Sequence, residues 1–138
     1  MRKLPADLMR ALAKAGVKPK SSKYRAVPTV VDGIRFDSKA EAEFWKYLHT
    51  GLNEGFYEYV LRQIPFDIPG GYRHRVDFMA VMSVHGYKEI AYYEVKGKDI
   101  GTGKLKRKQV EEIYGIKIHV MRAKYRSGTI VGFEEVES

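Results

Sequence analysis

Two apolar runs joined by a short turn, YRHRVDFMAVMSV-HGY-KEIAYYEVKG over residues 72–97, constrain the fold of this chain more than any other feature. Side chains alternate faces along a strand, so a run of this kind pairs with its neighbour and buries at least one face. The turn between the runs is short enough to predict an antiparallel pair. Charges interrupt the pattern. On the second run Ile90, Tyr92, Glu94 and Lys96 point one way, and Ala91, Tyr93 and Val95 point the other. Asp77 interrupts the first run, and pairing across the turn brings Asp77 toward Glu94 at the open end of the sheet. A partly exposed cross-strand ion pair is the plainer explanation for Glu94 and Lys96 alone.

The flanking segments predict an α/β layout. TVVDGIRF reads as a hairpin, because Asp32-Gly33 suits a two-residue primed turn. Ser38 opens a helix running to about Leu52, and YEYVLRQIPFDI reads as a strand in which Pro65 marks an edge or a bulge. KLKRKQVEEIYG predicts a second helix closed by Gly115, and IKIHVMRA one more strand. Upstream, Pro5–Ala15 predicts a short helix followed by a linker.

The chain is 138 residues long and 44% apolar, enough for one core without metal or disulfide support. It has no cysteine, which excludes a disulfide framework and a thiolate zinc site. No apolar run approaches the roughly 18–20 residues that span a membrane. The N-terminus lacks the apolar stretch of a signal peptide, so the expectation is an intracellular, cytoplasmic protein with no membrane partner.

The net charge is +8, and its distribution is uneven. Residues 1–31 hold eight basic side chains against Asp7 alone, while the rest of the chain carries 17 basic and 16 acidic groups. The expected organisation is a basic arm and linker over 1–27 and a folded domain over 28–138. A basic arm on a nearly neutral body points to a polyanion such as DNA, or else to a solubilising tail.

A third carboxylate comes from DSKAEAEFWKYL, where Glu41 shares a helical stripe with Phe44, Trp45, Leu48 and Leu52. Ser38-x-x-Glu41 is also a capping box, so Glu41 is either a cap or a ligand. Two carboxylates about 5 Å apart repel by roughly 3 kcal/mol at an effective dielectric of about 20. Three of them together need protons or a cation. With oxygen donors only, the cation expected is Mg²⁺, with Mn²⁺ as its substitute. Such an ion polarises a phosphoryl oxygen and acidifies a water, and Lys96 on the same strand face would stabilise developing negative charge.

Asp77 followed seventeen residues later by Glu94-Val95-Lys96 resembles the PD-(D/E)xK nuclease superfamily, with Val76-Asp77 in place of Pro-Asp. Glu41 on the preceding helix and Gly97 after the lysine add to the likeness. KQVEEI is similar to the glutamine-bearing helix of archaeal-type Holliday junction resolvases, and GIRFDSKAEAEFW, RQIPFDI and YYEVKG look like small phage-encoded nucleases. The resemblance implies a restriction-endonuclease-like core, a central mixed β-sheet flanked by helices. It implies metal held by Glu41, Asp77, Glu94 and the Val95 carbonyl, with Lys96 and Gln109 as catalytic residues. It also implies a homodimer making paired cuts in four-way DNA junctions. On its own helix Gln109 interrupts the row Leu105-Gln109-Ile113, and a local hydrogen bond explains it equally well.

DNA contacts are expected from Arg2, Lys3, Lys20, Lys23 and Arg25 in the arm, from Arg73 and Arg75 beside Asp77, and from Lys98 in the following loop. Lys104, Arg107 and Lys108 are expected on the helix face away from Leu105 and Ile113. The leading expectation is therefore a Mg²⁺-dependent, structure-selective DNA endonuclease, a junction resolvase. The alternatives are a nicking or end-processing nuclease of the same fold, and a non-catalytic DNA-binding module.

Overall fold

The computed structural model describes residues 27–97 and 103–136. The Pro5–Ala15 helix, the arm residues Arg2, Lys3, Lys20, Lys23 and Arg25, and Lys98 lie outside them. The described elements are β1 (Thr29–Val31), β2 (Ile34–Phe36), α1 (Lys39–Asn53), β3 (Tyr59–Ile68), β4 (Tyr72–Val84), β5 (Tyr87–Lys96), α2 (Lys104–Tyr114), β6 (Ile118–Arg126) and β7 (Thr129–Val136). Asp32 and Gly33 both take positive φ, 53° and 75°, the geometry a two-residue hairpin turn demands. His85-Gly86 repeats the device between β4 and β5. Ser127-Gly128 repeats it between β6 and β7, a strand the sequence pattern did not announce.

Strands β3 to β7 form one sheet in chain order, antiparallel throughout except for β5 and β6. Those two are parallel, and α2 makes the crossover between them, so the expected α/β layout with a central mixed sheet holds. No helix among the described residues is long and apolar enough to cross a membrane.

The two helices cover opposite faces of the sheet. Tyr93 and Val95 of β5 pack with α1, while Tyr92 packs in the cluster that includes Val110 of α2. On α1 the predicted stripe is the buried one: Phe44, Trp45 and Leu48 are enclosed, with Phe36 and Phe78 about 6 Å from the Trp45 ring. Truncating Trp45 to Ala would cost about 3–5 kcal/mol, as for other large buried rings.

Helix α2 is turned relative to the expectation. Leu105 and Ile113 are 76% and 51% exposed, whereas Arg107 and Val110 are buried. Val110 packs on Ile68, Val76 and Ile118, and the Arg107 guanidinium reaches Glu94. Arg107 therefore belongs to the interior and not to the outward, phosphate-facing side assigned to it. Gln109 is half-buried beside this inward face.

Strand β4 is distorted where it matters. Val76 joins the α2-side cluster, yet Phe78, two residues on, joins the α1-side cluster. Pairing with β3 passes from Arg62↔Phe78 to Ile64↔Val76 and omits Gln63 and Asp77, and Gln63 has a φ of 52°. Pairing with β5 begins only at Phe78↔Tyr93. Asp77 thus sits at a break in both ladders, where its side chain is free to turn toward β5.

Candidate active site

Four elements deliver side chains to one end of the sheet: the first turn of α1, the break in β4, the end of β5 and the start of α2. Asp77 Oδ2 accepts a hydrogen bond of 2.8 Å from the Val95 N–H, which fastens Asp77 to the middle of Glu94-Val95-Lys96. Glu94 is buried, 2% exposed, with both carboxylate oxygens occupied. His74 Nε2 pairs with Oε1, and Arg107 Nη1 donates to Oε2 at 3.1 Å. Lys96 Nζ stands 4.0 Å from the same Oε2.

Glu41 completes the group from the opposite face. Ser38 Oγ accepts from the Glu41 N–H at 3.1 Å, so Ser38 caps α1. Among the described residues the Glu41 carboxylate makes no return bond to Ser38. The box is half-made, and the acid is left for other work.

The three acids sit in different fields. Burial, then the nearby charges of Asp77 and Asp37, pushes the Glu41 carboxyl up to about 8, against the opposing pull of Arg62 and Lys96. Asp77 is raised to about 6, chiefly by burial and further by Glu94, although the Val95 N–H, Lys96 and His74 favour its charged form. Burial also acts to raise Glu94. There the His74 hydrogen bond and the charges of His74, Lys96 and Arg107 prevail, and the net shift is downward. Lys96 is thus electrostatically coupled to all three carboxylates.

The start of α2 adds a polar opening to the same place. Gly103, at φ 82°, caps the helix without a side-chain bond. A Cβ built on Gly103 would lie within about 4 Å of Lys96 Nζ, Arg107 Nη1 and His74 Cε1. Unpaired N–H groups at a helix start favour an anion. The buried Arg107 Nε has no hydrogen-bond partner.

The donor set is all oxygen apart from His74, which suits a hard divalent cation. Glu41 and Asp77 are the two acids short of compensating positive charge, and Mg²⁺ typically takes one or two carboxylates together with water and substrate phosphate. Those two acids are the groups of the site that could hold such an ion. Among the described residues no three His, Asp or Glu groups converge as a ready chelate, and Glu94 is engaged by His74 and Arg107.

Sequence reasoning assigned no role to His74 or Arg62. His74 follows Glu94 only through the tertiary pairing of β4 with β5. Arg62 lies over the Phe36 ring at 4.7 Å and opposes the Glu41 shift. Of the expected DNA-contacting residues, Lys104, Lys108, Arg73 and Arg75 are exposed. Arg73 is bonded to Asp67 at 2.9 Å and Lys108 to Glu111 at 3.4 Å.

Residues 21–127 match the family described as "Protein of unknown function (DUF1064)". No curated protein and no solved structure matches the chain.

Proposed function

The chain belongs to the DUF1064 family, and we propose that this member is a Mg²⁺-dependent DNA endonuclease of the PD-(D/E)xK type, acting on branched DNA such as four-way junctions. One observation carries the reading: Asp77 is bonded to the backbone of Glu94-Val95-Lys96, so the two halves of the resembled motif meet. Glu41 at the start of α1 adds the further acid that the resemblance calls for.

A divalent cation at this site supplies polarisation of a phosphoryl oxygen and acidification of a water. Glu41, Asp77 and the Val95 carbonyl are the groups to hold it. Lys96, coupled to every acid, offsets negative charge as it grows on the phosphate. Arg107 and His74 fix Glu94 in one orientation, so the site is organised before substrate arrives. The start of α2, capped by Gly103 with no side-chain bond, favours a phosphate beside Lys96. A homodimer is the arrangement that suits a junction, because its two symmetric scissile phosphates need two sites.

The ion pairs of Glu94 also support a rival reading, a DNA-binding module in which Glu94 is only structural. Cleavage separates the two. Purified chain with Mg²⁺ is expected to cut a four-way junction in preference to linear duplex, flap and nicked DNA. Asp77→Asn and Glu94→Gln are expected to lower the rate by more than about a hundredfold, above the loss that follows removal of a second-sphere partner, while sparing DNA binding. Undiminished cutting by both variants would sink the site. Salt-sensitive binding with no metal-dependent cutting of any substrate would favour the rival.

The arm enters the same proposal. Removing residues 1–25 is expected to weaken DNA binding and to flatten its dependence on salt, since fewer phosphate contacts release fewer counterions. An arm-deleted chain of unchanged affinity would remove that role.

A further inference from the structure

Away from the acids, two adjoining hollows of about 280 and 240 Å³ run between α1 and the edge strand β7. Tyr47, Gly132 and Phe133 line both, Lys46 opens on one and Lys124 on the other. Each is a little under the roughly 300 Å³ of the smaller ligand pockets, room for one flat ring system rather than an extended cofactor. The groove lies close to the proposed site. Lys96 pairs with Arg122 and Arg122 with Glu134, which places Glu134 two strands, or about 10 Å, from Lys96. Gly132 is two residues from Glu134 along β7.

Three features say what the groove takes. Tyr47 is 69% exposed, and its ring is within 19° of parallel to that of the buried Phe44, with centroids 6.2 Å apart. Phe44 in turn meets Phe133 edge-on at 5.1 Å. The tyrosine ring is thereby held by a packed aromatic and presented to solvent, the form of a stacking platform.

Gly132 is the second feature. It sits inside a strand, where glycine costs stability, and its φ is not in the left-handed region. A Cβ built there meets only Lys124 Cε, at an ordinary 3.7 Å. Neither backbone nor internal packing demands glycine. Gly132 lines both hollows while pairing with Lys124, so the edge strand offers them backbone and no bulky side chain at that position.

The third feature is charge and edge. Lys124 is exposed at the rim and makes no ion pair among the described residues. A register shift opposite Lys124 and Tyr125 leaves Val131 unpaired with β6. That bulge makes β7 a poor template for an added peptide strand.

We propose that this groove holds an unpaired base of the DNA substrate, stacked on Tyr47, with a neighbouring phosphate against Lys124. The proposal rests on the nuclease reading and narrows its substrate to junctions whose arms splay to free a base near the cut. The test is binding of a short single-stranded oligonucleotide carrying a fluorescent purine analogue, and of a fully paired duplex, to the full chain in EDTA. Stacking is expected to quench the analogue. Tyr47→Ala is expected to weaken single-strand binding about tenfold or more, the scale of one lost base stack. Duplex binding stays within about twofold of the parent, and Tyr47→Phe, which keeps the ring, restores the quench.

Equal loss on both DNAs, or no quench, would overturn the proposal. So would a Tyr47→Ala variant that only converts a dimer to a monomer, since the groove would then be a contact between copies. Because the assay needs no metal, its outcome is separate from the chemistry. Quenching without any Mg²⁺-dependent cutting would fail the nuclease reading and keep the groove. Asp77-dependent cutting with Tyr47→Ala binding single strands normally would fail the groove alone.

Discussion

Glu94 and Glu41 are both glutamates at the same end of one sheet, yet they sit in opposite fields. Glu94 is enclosed by His74, Arg107 and Lys96 and is held in its charged form. Glu41 is also withdrawn from water, but its neighbours include Asp77 and Asp37, and its carboxyl is pushed up to about 8. Burial raises both acids. The sign of the net shift is decided by what surrounds them. One half of the site carries its own counter-charge and acts as a fixed frame. In the other half the pull of Arg62, Lys96 and His74 does not offset burial and the neighbouring acids, and that deficit is where an incoming cation would be stabilised most.

The frame is the costlier half to break. Arg107→Met removes a buried partner and strands the Glu94 charge, so the variant should lose about 3–5 kcal/mol of stability in denaturant unfolding. Adding Glu94→Gln to it should recover part of that loss. Additive losses would mean that Arg107 acts through packing and not through the pair.

Next comes pH, where the two halves should respond with opposite sign. Glu41 and Asp77 have folded values above their ordinary 4.5 and 3.8, so the folded chain holds those protons more tightly than the unfolded chain. Their contribution is fully present below the ordinary values and is lost as pH rises through about 6 for Asp77 and about 8 for Glu41. Glu94 runs the other way, stabilising above its ordinary 4.5 and losing that as pH falls. Thermal unfolding of metal-free Glu41→Gln from pH 4.5 to pH 8 should therefore show a flatter decline than the parent, and a higher melting temperature at the upper end. Parallel curves would remove the distinction between the halves.

The smallest effect is expected at the helix start. Ser38→Ala removes the cap bond to the Glu41 N–H and should cost about 1 kcal/mol. If it also changes the pH response attributed to Glu41, the cap positions that carboxylate as well as ending the helix.

Much of this site was legible because its signals are local. The alternation in β4 and β5, the Asp-Gly and His-Gly turns and the α1 stripe each depend on neighbours within one element. Together they bring Asp77, Glu94 and Lys96 to one end. Helix α2 was misread because its eleven residues offer two stripes, Leu105-Gln109-Ile113 and Arg107-Val110-Glu111. The second faces inward, through an ion pair with Glu94 and a bond from the Ile118 N–H to Glu111 Oε2, both of which come from elsewhere in the chain. Strand β7 was missed for a related reason. Gly132 and the unpaired Val131 break its alternation, and only pairing with β6 makes TIVGFEEV a strand. His74 gave no sign of its partner, twenty residues away, until β4 and β5 were paired.

The claim that the Glu41–Asp77 half receives the cation is tested most directly by calorimetric titration of Mg²⁺ into the parent, Glu41→Gln and Asp77→Asn, in two buffers of different ionisation heat. The account predicts binding by the parent with release of protons near neutral pH, and about tenfold or more weaker binding without that release in Glu41→Gln, with Asp77→Asn weakened at least as much. Unchanged Mg²⁺ affinity and proton release in both variants would contradict it.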